Sequence, residues 1–214
     1  RAIGWFAGLA ASLRVARSLF AETAQIHLHA DIEQRHWWFV ARRMIIRDLL
    51  AASLPAAADR LVVDIGCGTG ANLASLASDY RCLGVDSSPE AVSLAQQRFP
   101  AVEFRTGQAP EVIGTAWPDV RAVLLMDVLE HVAEDHAMFA SIWQAAPKSC
   151  LFVVTVPADP RLWSPHDEAF GHFRRYTSDR LIDLWRALSA QTLLVSYFNA
   201  RLLPLIRWAR RLAR

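Results

Sequence analysis

One aspartate and three glycines that together can cradle a ligand stand within seven residues, at Asp64, Gly66, Gly68 and Gly70. Glycine lets the chain turn tightly and lets a ligand approach the backbone without meeting a Cβ atom. An apolar run typical of a buried strand precedes the turn, and a helical pattern follows it. The N–H groups of such a turn point at whatever lies above it. The spacing therefore predicts a binding loop for a nucleotide-like ligand.

A second candidate group combines two acids with a histidine, at Asp127, Glu130 and His131. Their spacing of i, i+3 and i+4 would gather them on one face of a helical turn. His131 suits a general base because its reference pKa is near 6.5. Alternatively, the three side chains would hold a divalent ion such as Mg²⁺ that lowers the pKa of a substrate hydroxyl. A third interpretation gives them cofactor contact and packing alone.

The segment from residue 157 to residue 176 is rich in histidine, acid and arginine. Its candidates are His166, Asp167, His172, Arg174 and Arg175. The histidines and the acid suit a metal or acid/base cluster, and the arginines suit an anionic substrate, although loop residues are often salt-bridged structure. We expect substrate binding here, with His166 as the second catalytic candidate after His131.

The glycine turn fits two cofactor classes. Gly66-x-Gly68-x-x-Ala71, with Asp86 about 20 residues later, matches the dinucleotide fingerprint. The longer string, with Asp64 before the turn, resembles motif I of the class I S-adenosylmethionine (SAM) methyltransferases. In that family the acid at Asp64 lies near the methionine end of SAM, and the acid at Asp86 holds the ribose. An NAD(P)-dependent oxidoreductase is the alternative, although the sequence shows no Tyr-x-x-x-Lys pair for hydride transfer.

The resemblance implies further contacts with SAM. They are Trp38, Arg43, Asn72, Ser87, Gln108, Ala109 and Asp127. The family usually carries an acid in place of Gln108, where it accepts from the adenine amine. The carbonyl oxygen of Gln108 can still accept this hydrogen bond. This departure keeps open a non-catalytic SAM-binding or membrane-associated protein.

The stretch from Asp31 to Arg43 resembles the N-terminal segment of a bacterial branch of this family, the ubiquinone-pathway O-methyltransferases and methyltransferase types 11–12. In that branch such a helix lids the cofactor pocket. The resemblance implies that Arg42 or Arg43 pairs with the SAM carboxylate. The alternative is that the aromatic residues of this stretch are core and the arginines solvated. The motif from Asp127 to His131 resembles the same branch, which suggests a metal.

Strands and helices are predicted to alternate. The predicted strands are Leu61–Ile65, Arg81–Val85, Val102–Arg105, Ala122–Met126, Cys150–Val156 and Thr192–Phe198, and the helices are 71–78, Pro89–Arg98, Glu134–Ala145 and Ser178–Leu188. Right-handed crossovers give a Rossmann-like, doubly wound α/β fold, with a mostly parallel sheet, helices on both faces and extra N-terminal helices. We expect an N-terminal lid over 1–54, a SAM-binding domain over 55–200 and a basic amphipathic segment over 201–214.

The composition predicts a single globular domain. The 214 residues are 53% hydrophobic and 21% charged, which suits one domain with a sizeable core. A net charge of +2 gives no nucleic-acid footprint. Three cysteines without metal spacing indicate free thiols in a cytoplasmic protein, and the amphipathic stretches 4–22 and 202–212 allow peripheral membrane contact. The family resemblance implies methyl transfer, and we expect the acceptor to be a hydroxyl oxygen of a small-molecule or lipid-like compound.

Overall fold

The computed structural model describes residues 26–27, 30–198, 200–204 and 208. Its centre is a fully parallel sheet with the strand order β3-β2-β1-β4-β5. The strands are β1 Ala57–Ile65, β2 Tyr80–Asp86, β3 Glu103–Thr106, β4 Val120–Met126 and β5 Leu151–Thr155. The order reverses between β1 and β4. Open α/β sheets bind their ligands above such a reversal, at the carboxyl ends of the strands.

Helices connect the strands. They are α1 Trp37–Ser53, α2 Ala71–Ala74, α3 Pro89–Arg98, α4 Asp135–Ala145, α5 Pro165–Ala169 and α6 Ser178–Arg186, with 3₁₀ turns at Glu111–Asp119, Leu129–His131, Pro160–Leu162 and Ala200–Leu202. A helical turn over residues 30–35 precedes α1. The helix starts follow from local chemistry: the Ser88 side chain accepts from Ala91 N, and Pro89 occupies the first turn of α3.

Alternate residues of the central strands face opposite sides of the sheet. Val62 packs in the cluster that contains residues of α1, α2 and α3, whereas Val63 packs with residues of α4 and α6. In β4, Leu124 and Leu125 divide in the same way, and all four side chains are fully buried. Helices therefore cover both faces, and the predicted doubly wound α/β fold is confirmed.

The predicted boundaries differ from the structure where local pattern and tertiary contact disagree. Strand β1 begins at Ala57, four residues earlier than predicted, and α2 ends at Ala74 instead of residue 78. The sixth strand predicted at Thr192–Phe198 is wrong, because residues 191–197 form no strand. Its composition favours a strand, but a strand exists only with a ladder partner. Among the described residues, β5 pairs with β4 alone.

The two amphipathic stretches are almost entirely outside the described residues. The predicted helix over residues 4–22 falls there completely, and so does most of the one predicted over 202–212. Among the helices that the structure does describe, none has the length and apolar character needed to cross a bilayer. The proposed division of the chain into three regions stays a prediction, although Ile46 and Leu50 of α1 are buried in the main core.

A buried polar cluster joins the helical turn before α1 to the glycine loop. Thr69 Oγ1 and Arg98 Nη1 each donate to Glu33 Oε1 at 2.5 Å, and Arg98 Nη1 also donates to the Thr69 carbonyl oxygen at 2.9 Å. The Glu33 side chain is 6% exposed. Removing one partner of a buried ion pair leaves a poorly compensated charge. The cluster therefore fixes the segment before α1 over one side of the loop.

We expect Arg98→Met to lower the free energy of unfolding by about 3–5 kcal/mol, because it removes the cation beside the buried Glu33 carboxylate. Urea unfolding of the purified chain measures this change. The matched control is Arg81→Met, which breaks an exposed pair with Asp119 at 2.9 Å and should cost about 1 kcal/mol or less. Equal losses in the two variants would contradict the structural role of the Arg98 cluster.

Candidate active site

The glycine loop is fixed at its start and open in its middle. The amides of Gly66 and Cys67 both donate to the Val85 carbonyl oxygen, at 2.8 and 3.0 Å. Gly66 has a φ of 74°, and a Cβ atom there would lie 2.5 Å from the Val128 side chain. A Cβ on Gly68 would meet no atom of the described residues within 4 Å. The middle of the loop is the part that a ligand can reach.

Asp86 ends β2 directly beside this loop. Its Oδ2 accepts from Gly68 N at 2.8 Å, and its Oδ1 accepts from Ser88 N at 2.9 Å. The residue is half-buried. A carboxylate offers about four lone-pair sites, so each oxygen can accept one more hydrogen bond. The arrangement suits a pair of neighbouring hydroxyl groups.

Asp64 in β1 is a buried acid without a hydrogen-bond partner among the described residues, at either oxygen. Burial raises the pKa of Asp64 to about 8, the Arg42 charge opposes this shift and the Asp86 charge adds to it. Arg42 itself is buried, and its Nε also has no hydrogen-bond partner in the described chain. An acceptor and a donor are thus held near each other for a ligand that carries an ammonium and a carboxylate.

Asp127 links three elements at the end of β4. It pairs with Arg42 Nη1 of α1, and its Oδ1 accepts from Thr155 Oγ1 of β5 at 3.1 Å. Its backbone N donates to the Thr155 carbonyl oxygen at 2.9 Å. Asp127 has a φ of 58°, a strained conformation for a residue with a side chain. Contacts from both neighbouring elements hold this conformation.

The structure brings Glu130 and His131 together with His172. One ligand atom from each of these three side chains lies within 4.8 Å of the others. The rings of His131 and His172 are 4.7 Å apart and nearly perpendicular, at 86°. The predicted partner Asp127 directs its carboxylate to Arg42 and Thr155 instead. Residues Leu129–His131 form a 3₁₀ turn, so their side chains point in different directions than they would on an α-helical turn.

Burial sets the protonation of this cluster. Glu130 is 1% exposed, and its Oε2 has no hydrogen-bond partner in the described part of the chain. Burial, followed by the negative charge of Asp127, raises the pKa of Glu130 to about 8. Burial also lowers the pKa of His131, and His172 lowers it further. The His131 imidazole is therefore neutral near pH 7 and offers a lone pair.

Asp167 anchors His172. Its Oδ1 lies 3.0 Å from His172 Nδ1 and accepts from Arg175 Nε at 2.7 Å, while its Oδ2 accepts from Ser164 Oγ at 3.0 Å. Burial would raise the pKa of Asp167, but hydrogen bonds from Arg175, Ser164 and His172 outweigh burial and lower it to about 2. An ionised carboxylate can only accept, so Nδ1 of His172 is the donor in this hydrogen bond.

The other candidates from this loop have different surroundings. His166 is exposed on α5, with its ring 4.3 Å from that of Phe170. Arg174 donates to the Val132 carbonyl oxygen at 2.7 Å and pairs with Asp135 at 3.0 Å. Arg175 pairs with Asp167, as above. Of the two arginines predicted for an anionic substrate, Arg174 thus holds the loop to the segment after β4, whereas Arg175 pairs within the loop.

The remaining predicted cofactor residues border the same edge. Ser87 and Gln108 are exposed after β2 and β3, with the half-buried Ala109 beside Gln108 and Asn72 half-buried at the start of α2. These positions follow the strand ends and the glycine turn. Carboxyl ends of parallel strands share one edge, so the sequence order alone predicts this grouping.

On α1, the structure distinguishes the neighbouring arginines. Arg43 Nη1 donates to the Glu33 carbonyl oxygen at 2.7 Å, whereas Arg42 reaches Asp127. Trp38 contacts the ring of Phe198, with 5.9 Å between centroids. Sequence reasoning missed Thr155, although its position at the carboxyl end of β5 is a usable signal.

The sequence is similar to those of known methyltransferases. Residues 62–147 match the model of a methyltransferase domain. The chain is 30% identical over 141 residues to trans-aconitate 2-methyltransferase of Deinococcus radiodurans, covering 64% of this chain and 50% of that protein. It is 31% identical over 108 residues to the protein of the same name from Methylobacterium nodulans, covering 49% and 41%. The chain spans about half the length of the curated relatives it matches, or less.

Solved structures share the fold. Phosphoethanolamine N-methyltransferase 2 of Haemonchus contortus, solved with SAM, superposes with a TM-score of 0.63 at 17% identity, covering 81% of this chain and 42% of that one. A Haloferax volcanii protein, solved in complex with the Trm112 methyltransferase activator, gives 0.62 at 21% identity, covering 86% and 84%. These similarities confirm the Rossmann-like α/β fold.

We expect the free energy of unfolding of the ligand-free protein to fall as pH rises from about 4 to about 8, partly because of Asp64. The native protein keeps the Asp64 proton up to a pKa of about 8, whereas the unfolded chain loses it near pH 4, so the native state binds more protons in this window. Asp64→Asn should flatten this slope and raise stability at pH 8 by roughly 1–3 kcal/mol. Urea unfolding at several pH values measures it.

The control for this pH series is Asp183→Asn, which changes a carboxylate on α6 that pairs only across one turn with Arg186 at 3.1 Å. For Asp183→Asn, the free energy of unfolding should fall with pH as steeply as it does for the wild-type protein. An Asp64→Asn variant that keeps the full wild-type slope would contradict the assignment of a retained proton to Asp64.

Proposed function

We propose that this chain is a class I SAM-dependent methyltransferase that binds SAM at the glycine loop and transfers the methyl group to an oxygen of a small molecule. The observation that carries the proposal is the buried pair formed by the Asp64 carboxylate and Arg42 Nε, both without hydrogen-bond partners among the described residues. SAM carries an ammonium and a carboxylate at its methionine end. The Asp64 oxygens can accept from the ammonium, and Arg42 Nε can donate to the carboxylate.

The remaining SAM contacts follow the strand ends. Each carboxylate oxygen of Asp86 accepts one backbone hydrogen bond and has capacity for another, so the two oxygens would accept from the two ribose hydroxyls. Gly68 offers an open backbone surface to the same ligand. Gln108 and Ala109 follow the carboxyl end of β3, where the family resemblance implies that the adenine binds. Contacts of SAM with Trp38 and Arg43 stay predictions. We assign the SAM carboxylate to Arg42, because its buried Nε has no hydrogen-bond partner among the described residues.

SAM supplies a methyl group on a positively charged sulfur, which leaves as the methyl is transferred. The protein contributes mainly alignment of the acceptor oxygen with the methyl group and the sulfur. A hydroxyl acceptor must also lose its proton, and we propose that His131 assists this loss from the end of β4. Two chemistries are open to its neutral imidazole: direct acceptance of the proton, or binding of a cation that acidifies the hydroxyl. His166 stays a second catalytic prediction.

We favour a hydroxyl over a carboxylate acceptor. The curated relatives are named for trans-aconitate, a molecule with carboxylates. A carboxylate acceptor needs cationic groups to bind it. The two arginines of the loop that carries His172, Arg174 and Arg175, are both used in pairs with Asp135 and Asp167. A lipid-like acceptor and peripheral membrane contact stay predictions.

We expect Asp86→Asn to weaken SAM binding about 30-fold or more, because it removes one negative charge and part of the acceptor capacity at the proposed ribose site. Isothermal titration calorimetry with SAM, S-adenosylhomocysteine and NAD⁺ measures the effect. The matched control is Asp119→Asn, an exposed acid in a pair with Arg81, which should bind like the wild type. Binding of NAD⁺ without SAM would overturn the proposal in favour of the oxidoreductase.

The acceptor class is tested by measuring S-adenosylhomocysteine release with a panel of phenols and alcohols and with trans-aconitate. We expect turnover with a hydroxyl compound and little with trans-aconitate, because the arginines beside the cluster are already paired. His131→Gln should lower kcat at least about 100-fold while leaving the Kd for SAM within about 2-fold. Efficient turnover of trans-aconitate would replace the hydroxyl proposal by a carboxylate one.

A further inference from the structure

We propose that Glu130, His131 and His172 bind one first-row transition-metal ion of the Zn²⁺ class, through a carboxylate oxygen and two imidazole nitrogens. The three ligand atoms lie within 4.8 Å of one another. They come from two separate parts of the chain, the turn after β4 and the loop after α5. Their juxtaposition is therefore a product of the fold, and no single sequence motif contains it.

The first support is the carboxylate of Glu130. It is 1% exposed, and its Oε2 is buried without a hydrogen-bond partner among the described residues. A buried polar atom without a partner is costly, so native proteins rarely leave one without a use. A cation bound between Glu130 and the two histidines would satisfy this oxygen.

The second support is the way His172 is held. Its Nδ1 is 3.0 Å from Asp167 Oδ1, and Asp167 is fixed in turn by Arg175 and Ser164. Histidines that ligate metals almost always donate their other ring N–H to such a carboxylate, which fixes the tautomer and the ring orientation. His172 thus has the outer contact that a metal ligand needs, made through Nδ1, and Nε2 is its other ring nitrogen.

The third support is that the three side chains can move to zinc-binding distances and still leave one coordination position open for substrate. Tetrahedral ligands at zinc distances lie about 3.4 Å apart, so a separation of up to 4.8 Å closes with small side-chain rotations. His131 is the most exposed of the three side chains and can rotate, whereas Glu130 and His172 are held by their surroundings. Three protein ligands leave the fourth position of a tetrahedral site open, as in catalytic zinc sites.

The donor set selects the metal. Two imidazoles and one carboxylate suit Zn²⁺ and its neighbours, whereas Mg²⁺ prefers oxygen ligands and near-ideal octahedral geometry. The sequence-based hypothesis of Mg²⁺ required Asp127 as a third ligand. The Asp127 carboxylate is instead paired with Arg42 and hydrogen-bonded to Thr155. The site proposed here therefore differs from that hypothesis in one ligand and in the metal.

A metal at this place would serve the proposed methyl transfer. An acceptor hydroxyl in the open position would have a lowered pKa, and its proton would pass to bulk water because His131 would be a ligand. This use of the metal rests on the proposed function. The binding of the metal does not, since it depends only on the three side chains.

Calorimetry with the metal alone tests the site. Tag-free protein, stripped with EDTA and dialysed, is titrated with ZnCl₂ and with MgCl₂, and the Co²⁺ form is examined by visible absorption. We expect one Zn²⁺ per chain with a micromolar or lower Kd, a tetrahedral or five-coordinate Co²⁺ spectrum and no comparable Mg²⁺ binding. His172→Gln and Glu130→Gln should each weaken Zn²⁺ binding at least 10-fold. His136→Gln, an exposed histidine that contacts Arg180, is the matched control and should leave it unchanged.

The outcomes are separable. Circular dichroism checks that each variant folds, and His172→Gln decides the case if Glu130→Gln does not fold. Absence of stoichiometric Zn²⁺ binding, unchanged binding in His172→Gln, or a dependence on Asp127→Asn instead of His172→Gln would overturn the inference. SAM titrations of the same samples report on the proposed function: SAM binding without Zn²⁺ binding overturns the metal site alone, and Zn²⁺ binding without SAM binding overturns the methyltransferase proposal alone.

Discussion

The carbonyl oxygen of Val85 accepts two hydrogen bonds, from the amides of Gly66 and Cys67, and the rest of the site depends on this contact. It ties the turn after β1 to the end of β2, the neighbouring parallel strand. Gly68 N is thereby placed 2.8 Å from Asp86 Oδ2. The loop and the acid are held as one unit before any ligand arrives, which reduces the entropy that binding must overcome.

Buried polar groups are the second constraint. Asp64 lies inside the domain, where the charge of Arg42 opposes the rise in its pKa, and Arg42 also pairs with Asp127 at the end of β4. The loop after β5 closes the same edge, because Phe173 N donates to the Glu130 carbonyl oxygen at 2.7 Å. The site therefore holds its polar groups in low-dielectric surroundings, where their interaction with a charged ligand is strong and their exposure without one is costly.

Local pattern was sufficient for most of the fold. Short β-branched runs, the glycine turn and the Ser88 cap before Pro89 each act within a few residues, so the five strands and the main helices follow from sequence with small boundary shifts. The predicted strand Thr192–Phe198 shows where this reasoning ends. Its residues have the composition of a strand, but pairing is decided by whether a neighbouring edge is in reach, and no local pattern encodes that.

The sequence by itself determined that Asp64, the glycine turn and Asp86 lie together, because consecutive parallel strands end at the same edge of the sheet. Only the tertiary structure decided that Arg42, and not Arg43, faces Asp127, since the rotation of α1 is set by its packing on the core. Only the tertiary structure brought His172 to Glu130 and His131. That contact requires the loop after α5 to pack beside the turn after β4, and the side chains that hold it there meet only after the sheet has formed.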